Sequence, residues 1–290
     1  KELEIALEVV LKQDDPVIAF DIEITNTAKD HRLRLLIPAE LDTQQAFSDN
    51  QFGVISRPFV DSALSIWEEE NWDERPDGIY PMLSYVGLKD DATQEGLGLI
   101  TNSSREYEVL TKNSPTLAIT LFRSVGVLGK EELVRRPGRP SGIKLETPDS
   151  QMIGAYRFGF GLVPLAAEEE LAVLANRHLT PIITYNKIPH DAMRLNPTGL
   201  RLPVSYSLFE LESTGLVMST LKKAEQQESL VLRVFNPTEI KQALRFHDSS
   251  PAALHEVNLN EEQPIEITTD VQAGTYMILP NQVKTIMCTN

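Results

Sequence analysis

Apolar residues recur at every second position along most of the chain. Between residues 3 and 11 they occupy the odd positions, and after a polar stretch at 12–16 they occupy the even positions from 18 to 24. A period of two places one face of each segment in a core and leaves the other face in water. The two segments therefore predict an antiparallel β-hairpin.

The same alternation predicts further strands at Leu33–Ile37, Leu83–Leu88, Leu97–Thr101, Leu117–Arg123 and Ala155–Val163. In the last of these, Gly159 and Gly161 lie on the face opposite the aromatic residues, which indicates close packing against another layer or a bulge. Glu168–Arg177 is the one segment with a helical pattern, and it begins in an acidic turn. These patterns predict an all-β protein with a single helix.

A stretch rich in Pro, Gly and Asn, residues 190–203, predicts a linker between two β domains, 1–189 and 204–290. The second domain contains seven short predicted strands, separated by turn residues: Val204–Leu211, Leu216–Leu221, Leu230–Asn236, Leu244–His247, Ile265–Thr268, Tyr276–Leu279 and Val283–Cys288. Strands of this length and spacing are typical of a small β-sandwich.

Charge and cysteine content exclude several classes of protein. The 290 residues contain 27 Lys and Arg against 42 Asp and Glu, a net charge of −15. Such an acidic chain is a poor ligand for nucleic acids and for anionic membranes, and no segment reaches the roughly 20 apolar residues of a membrane span. A single cysteine, Cys288, excludes an internal disulfide and predicts a reducing compartment; we expect its thiol to be buried. Because the chain starts at Lys1 without Met and enters a strand pattern at once, we also expect a longer parent protein.

The histidines give little sign of a catalytic or metal site. No two of the five have the spacing of paired metal ligands: His31, His178, His190, His247 and His255. Neither a nucleophile elbow nor a phosphate-binding loop occurs. Separate structural histidines are the favoured interpretation.

An acidic run at Glu68–Glu70 is flanked by Trp67 and Trp72, the only tryptophans of the chain. Runs of like charge, including a second at Glu168–Glu170, are usually solvated. The indoles could stack on a sugar ring, or they could anchor the loop in the sandwich; the second alternative is favoured.

Three arginines cluster among Pro and Gly after a predicted strand: Arg135, Arg136 and Arg139. Arg123 lies at the end of that strand. Guanidinium groups bind carboxylates and hydroxyl arrays, so the cluster is a candidate substrate-binding site. A solvated basic loop, or a loop that docks on the protein's own acidic surface, explains it equally well.

A series of motifs in order along nearly the whole chain resembles one enzyme family. They are His31–Arg34, Gln51–Gly53, Arg57, Ile79–Pro81, Glu106–Val109, Leu121–Gly126, Thr147–Gly154, Leu221–Glu225, Arg233–Asn236 and Lys284–Ile286. Together they resemble the C-terminal β region of family-38 glycoside hydrolases, the α-mannosidases, and especially the bacterial branch that includes mannosylglycerate hydrolases.

The resemblance implies a large extended β-sandwich of the galactose-mutarotase type, followed by a smaller β-sandwich. It also implies a retaining α-mannosidase that uses a divalent metal, usually zinc. In the family, a preceding N-terminal domain carries the metal ligands and the aspartate nucleophile. No segment of this sequence matches those motifs, so we expect no catalytic residue and no metal ligand here, and an inactive chain when it is alone.

The predicted role is therefore to support and partly line the active-site cleft of an N-terminal catalytic domain that acts on α-mannosides. The resemblance aligns Arg136 and Arg139 best with an arginine that the family directs towards the substrate, and Arg123 and Arg135 complete the candidate set. The predicted location is the bacterial cytoplasm, and a homo-oligomer is left open. A stand-alone carbohydrate-binding or scaffolding module is the alternative function, followed by a sandwich enzyme of the epimerase type with catalytic His and Glu.

Overall fold

A computed structural model of the chain describes residues 2–166, 168–184, 203–206, 209–211, 215–246, 253–266 and 275–289. The chain divides into two compact units, Lys1–Leu179 and Thr180–Asn290. The predicted linker at 190–203 lies outside the described residues, except for Pro203. The predicted domain limits at 189 and 204 therefore stay predictions. No helix in the described ranges is both long enough and apolar enough to cross a bilayer.

The first unit consists mainly of strands. They are β1 (Leu3–Val10), β2 (Ile18–Asn26), β3 (His31–Pro38), β4 (Gln45–Asn50), β5 (Gly53–Pro58), β6 (Ile79–Pro81), β7 (Tyr85–Lys89), β8 (Gly96–Ile100), β9 (Glu106–Leu110), β10 (Thr116–Ser124), β11 (Val127–Leu128), β12 (Glu132–Leu133), β13 (Arg136–Pro137), β14 (Leu145–Glu146) and β15 (Gly154–Leu165). Two 3₁₀ turns, Ser62–Ser65 and Pro148–Gln151, and the helix α1 (Glu168–Leu179) complete the unit.

Two antiparallel sheets form its sandwich. The larger has the strand order β1-β2-β15-β8-β7-β4-β5, and the smaller has the order β3-β10-β9-β6. In the first hairpin, Leu3 lies opposite Asn26 and Val10 lies opposite Ala19. The hairpin predicted from the alternating pattern is therefore confirmed.

The core lies between these sheets, because each contributes the apolar face of its alternating strands. Its buried side chains come from both layers and include Ile22, Ile24, Phe158 and Phe160 of the larger sheet and Leu117, Ile119 and Phe122 of the smaller. This arrangement confirms the all-β prediction for the first unit.

The helix α1 packs on the larger sheet, where two glycines leave room for it. An added Cβ at Gly98 would lie 2.7 Å from Cδ1 of Leu171, and one at Gly161 would lie 3.1 Å from Nε2 of His178. Leu171 is fully buried at this contact. The predicted helix and the predicted close approach at Gly161 are both confirmed.

Two long loops cross between the sheets. Residues 59–78, here called the tryptophan loop, lead from β5 of the larger sheet to β6 of the smaller. Residues 125–153, called the arginine loop, lead back from β10 to β15 and contain two short antiparallel pairs, β11 with β14 and β12 with β13.

The second unit is a smaller sandwich. Its strands are β16 (Phe209–Leu211), β17 (Val217–Lys223), β18 (Leu230–Phe235), β19 (Gln242–Phe246), β20 (Ala253–Val257), β21 (Ile265–Glu266), β22 (Thr275–Ile278) and β23 (Val283–Thr289). They form sheets of order β17-β18-β23-β20-β21 and β16-β19-β22 around a core that includes Leu232, Leu244 and Ile286. The predicted strand Val204–Leu211 is too long, since residues 203–206 are not in a strand and Val204 and Tyr206 are both exposed.

Candidate functional site

The root of the arginine loop is held by Gln151, whose side chain is buried. Its Oε1 accepts hydrogen bonds from the backbone N–H of Asp30 and from the hydroxyl of Ser124, both at 2.9 Å, and its Nε2 donates to Oδ1 of Asp30 at 3.0 Å. Nδ2 of Asn26 donates to the carbonyl of Met152 at 2.5 Å. Together these hydrogen bonds hold both ends of the arginine loop in place on the sandwich.

The arginines of this loop pair with acids of the tryptophan loop. The ion pairs join Arg135 to Asp77, Arg136 to Glu74 and Arg139 to Asp73. In addition, the backbone N–H of Arg75 donates to the carbonyl of Arg135 at 2.7 Å. We call this group of contacts the loop clasp.

The clasp leaves its arginines unequally accessible. The side chain of Arg139 is 66% exposed and that of Arg136 is 27% exposed. Nε of Arg136 is buried without a hydrogen-bond partner among the described atoms. Three of the four predicted site residues thus lie together, and Arg139 has the most exposed side chain of the three.

Arg123, the fourth predicted residue, lies in a different place. It is on β10, where its Nη2 is 2.7 Å from Oε1 of Glu106 on the neighbouring strand β9. Arg32 and Arg34 of β3, on the other side of β10, both reach Oε2 of Glu108, at 2.9 and 2.7 Å. The structure therefore assigns Arg123 to a strand-to-strand network and not to the loop clasp.

The arginines of this network hold Glu106 in its charged form. Burial raises the pKa of Glu106, but hydrogen bonds from Thr120 and Arg123, together with the charges of Arg123 and Arg32, outweigh burial and bring the pKa below its usual value. Glu106 is consequently ionised at neutral pH and compensates the arginines. An outside anion would have to compete with it.

The two tryptophans of the tryptophan loop differ in exposure. The backbone N–H of Trp72 donates to the carbonyl of Trp67 at 3.0 Å, which closes a turn around the exposed Glu68–Glu70. Trp67 is half-buried, but Trp72 is 45% exposed. The prediction that the indoles anchor the loop in the sandwich is not supported for Trp72, whose side chain is exposed.

The chain shows no metal centre in the parts that the structure describes. No group of three or more His, Cys, Asp or Glu side chains there could hold an ion. The described histidines lie on separate elements, and two of the five are outside the described residues: His31 in β3, His178 in α1 and His255 in β20 are described, whereas His190 and His247 are not.

Cys288 is a free and buried thiol. Burial raises its pKa to about 11, so the thiol is protonated at neutral pH and is a weak nucleophile. The prediction of a buried structural cysteine is confirmed.

The acids of the loop clasp are the residues that sequence reasoning did not name. Docking of the arginines on an acidic surface is one of the alternatives that the sequence leaves open. The sequence does not predict which acidic residues form that surface. The available signal is complementary charge, since three of the five residues at 73–77 are acidic. Nothing in the local pattern shows that this segment contacts residues 135–139, about sixty positions later.

Comparison with family profiles gives two matches in chain order. Residues 1–127 match the profile "Glycosyl hydrolases family 38 C-terminal domain". Residues 215–286 match "Glycosyl hydrolases family 38 C-terminal beta sandwich domain". The boundary between them is consistent with the two units of the structure.

A curated protein and two solved structures are similar to the chain. A protein of Halalkalibacterium halodurans named "Putative mannosylglycerate hydrolase" is 26% identical over 270 residues, which cover 93% of this chain and 27% of that protein. A crystal structure of an alpha-mannosidase from Enterococcus faecalis V583 shares 25% identity, with a TM-score of 0.74, over 99% of this chain and 29% of its own. A second Enterococcus faecalis structure, of a protein in glycosyl hydrolase family 38, matches at 24% identity with a TM-score of 0.70 and shows the same fold.

The chain thus spans less than a third of the length of each of these relatives. In each comparison nearly all of this chain is matched, whereas most of the relative lies outside the match. The two profiles and the shared two-unit β fold agree with the motifs found in the sequence. The chain belongs to the C-terminal β domains of glycosyl hydrolase family 38.

Proposed function

We propose that the chain supports and partly lines the active-site cleft of a retaining, metal-dependent α-mannosidase whose catalytic residues lie in another part of a longer protein. The names of two relatives, "Putative mannosylglycerate hydrolase" and an alpha-mannosidase, support this activity. The observation that carries the proposal is the loop clasp, which holds three arginines against acids of the tryptophan loop.

Rigid placement is what a substrate-contacting loop needs. A guanidinium that is already oriented loses less conformational freedom on binding than a free one. In the clasp, Asp73 and Glu74 are the positioning partners of Arg139 and Arg136. These two arginines are the proposed substrate contacts, and the exposed face of Arg139 is the more accessible.

The proposed substrate is an α-mannoside. If its aglycone carries a carboxylate, as in mannosylglycerate, the carboxylate could accept two hydrogen bonds from one guanidinium. Arg135 would act within the clasp, and Arg123 would stabilise the smaller sheet through Glu106.

The catalytic groups and the metal are assigned to the rest of the longer protein. Retaining glycosidases need two carboxyl groups about 5–5.5 Å apart, one as nucleophile and one as acid/base. The described residues do not fit a divalent metal such as zinc, since no cluster of three ligands occurs among them. We accordingly expect the 290-residue chain to be inactive by itself.

Kinetics of the complete protein test the role of the arginines. Arg136→Ala and Arg139→Ala should each lower kcat/KM for the mannoside by about tenfold or more, the usual effect of removing a charged hydrogen bond of about 1.5–3 kcal/mol. Arg157→Ala is a matched control, because Arg157 is a 61% exposed arginine paired with Asp21 on the outer face of the larger sheet.

Two measurements separate substrate contact from a purely structural clasp. If Arg139→Ala and Asp73→Asn lower the melting temperature and leave kcat/KM unchanged, the arginines hold the loops together and do not contact the substrate. A loss of kcat/KM with unchanged melting temperature in Arg139→Ala supports the proposal.

A carbohydrate-binding module without catalysis is the second candidate, and the exposure of Trp72 favours it. An exposed indole can stack on a sugar ring. Titration of the 290-residue chain with mannose oligosaccharides, followed by tryptophan fluorescence, tests this function. Saturable binding that Trp72→Ala abolishes would support the module.

A further inference from the structure

The first strand of the chain exposes an apolar face that the sandwich does not cover. Side chains at alternate positions of β1 point towards the core side, yet Ile5 is 53% exposed, Leu7 is 62% exposed and Val9 is 55% exposed. Strand β1 is at the edge of the seven-stranded sheet, next to β2. The larger sheet therefore extends beyond the smaller one at this side.

A groove of about 410 Å³ lies beneath this overhang. Its walls are the first hairpin and the strands β3 and β10, and they are almost entirely aliphatic or aromatic. The one charged residue in the lining, Arg34, is already paired with Glu108 at 2.7 Å. The groove consequently offers apolar contact and no free charge among its described residues.

The edge of β1 is also open to hydrogen bonding. No described strand pairs with the side of β1 that faces away from β2. A long apolar edge of this kind is a template for the addition of another strand. An added strand would place alternate side chains into the groove and the remainder on the opposite face.

The charged residues on the opposite face of β1 indicate which charge an added strand would carry. Glu4 and Glu8 lie there, and the segment Leu3–Val10 contains no Lys or Arg. A second copy of β1 would bring the same carboxylates onto this face without a cation, in a chain whose net charge is −15. The charge pattern disfavours self-association and favours a strand with basic side chains at its outward positions.

We infer that β1 is a docking edge for an extended segment of the same longer polypeptide, apolar at the positions that enter the groove and basic at the others. This inference rests on the proposed function, because it needs the chain to act as part of a protein as long as its relatives, of which it spans 27–30%. The segment would complete the sandwich and couple the β region to the remainder of the enzyme.

Hydrogen exchange tests the docking directly. Amides at alternate positions of β1, those that point away from β2, should exchange at least about tenfold more slowly in the complete protein than in the 290-residue chain. Strand β23, paired on both sides by β18 and β20, is the internal control and should be protected equally in both. Equal exchange of β1 in the two proteins would overturn the inference.

A substitution at Leu7 gives a second, independent test. Because Leu7 is mostly exposed in this chain, Leu7→Asn should change the melting temperature of the 290-residue chain little and lower that of the complete protein by about 3 °C or more. Lys112→Gln, in the exposed turn between β9 and β10, is the control for a surface substitution away from β1 and should change neither melting temperature. Equal shifts for Leu7→Asn in both proteins would contradict docking.

The alternatives give different results. If the 290-residue chain sediments as a dimer and its β1 amides become protected as concentration rises, the occupant is a second copy and the inference is wrong. Protection of β1 in a complete protein that does not hydrolyse mannosides would contradict the proposed function alone. Mannosidase activity without protection of β1 would contradict the inference alone.

Discussion

At the scale of single residues, the most heavily hydrogen-bonded carboxylate of the sandwich is Asp49. It is buried and accepts hydrogen bonds from the backbone N–H groups of Leu83, Ser84 and Tyr85, at 2.9, 2.7 and 3.1 Å. The hydroxyl of Ser84 donates to it at 2.5 Å. The Asp49 carboxylate thereby accepts the hydrogen bonds of the backbone N–H groups in the turn before β7. Strand β7 is an interior strand of the larger sheet.

Asp49→Asn replaces one of the accepting oxygens with an N–H donor that faces other donors. We expect the free energy of unfolding to fall by about 2–4 kcal/mol, since buried backbone donors lose their partner. Urea denaturation measures this change, and the same substitution at the exposed Asp14 is the control. Equal stability of the two variants would contradict a structural role for Asp49.

The buried Cys288 provides a second residue-scale prediction. Because burial raises its pKa to about 11, native protein should react with a thiol reagent at pH 8 at least about a hundredfold more slowly than protein unfolded in urea. Absorbance of the released thiolate measures both rates. Rapid labelling of the native chain would show that the smaller sandwich opens at β23.

At the scale of elements, the arginine loop depends on its root. Gln151→Ala removes the hydrogen bonds to Asp30 and Ser124, and we expect the free energy of unfolding to fall by about 2–3 kcal/mol. The loop should also become more sensitive to protease between residues 125 and 153, as limited digestion followed by mass spectrometry would show. Gln45→Ala, at an exposed strand position, is the control. Unchanged cleavage in Gln151→Ala would mean that the clasp alone holds the loop.

The turn after β7 predicts a dependence of stability on pH. Hydrogen bonds from the backbone N–H groups of Thr93, Asp42 and Ala92 lower the pKa of Asp90 from 3.8 to about 2. A carboxyl whose pKa is lower in the folded state stabilises the fold above its unfolded pKa, and this contribution is lost as the pH falls towards the folded pKa. The ionised form of Asp90 should therefore stabilise the protein fully above about pH 4 and progressively less down to about pH 2.

Urea midpoints of wild type and Asp90→Asn between pH 2 and pH 6 measure this effect. The difference between the two proteins should be constant at the upper end and shrink below about pH 4. Asp91→Asn, at the exposed neighbouring position, should follow the wild type throughout. A constant difference down to pH 2 would contradict the assignment to Asp90.

Elements with a strong local pattern could be predicted from the sequence, and those that depend on distant partners could not. The strands of the first hairpin, β15 and α1 each show a regular spacing of apolar residues within about ten positions. A local pattern of this kind is enough to predict an element with one buried face. The arginines of the arginine loop could be found in the sequence, but the acids that pair with them could not. The pairing depends on where two loops that are distant in sequence meet. The local pattern likewise does not show that Trp72 is exposed.

At the scale of the whole molecule, the described residues agree with the proposed supporting role. Both units are β-sandwiches with apolar cores, and the described residues bring charged side chains together in ion pairs and not around an open metal site. The open edge of β1 and the loop clasp are the two surfaces through which we propose that the chain contacts the rest of a longer enzyme and its substrate.

Hydrolysis of an aryl α-mannoside by the complete protein is the measurement that tests this account most directly. The complete protein should release the aryl alcohol, a chelator should abolish the release, and the 290-residue chain should release none. Hydrolysis by the 290-residue chain alone, or by the complete protein in the presence of chelator after exhaustive dialysis, would contradict it.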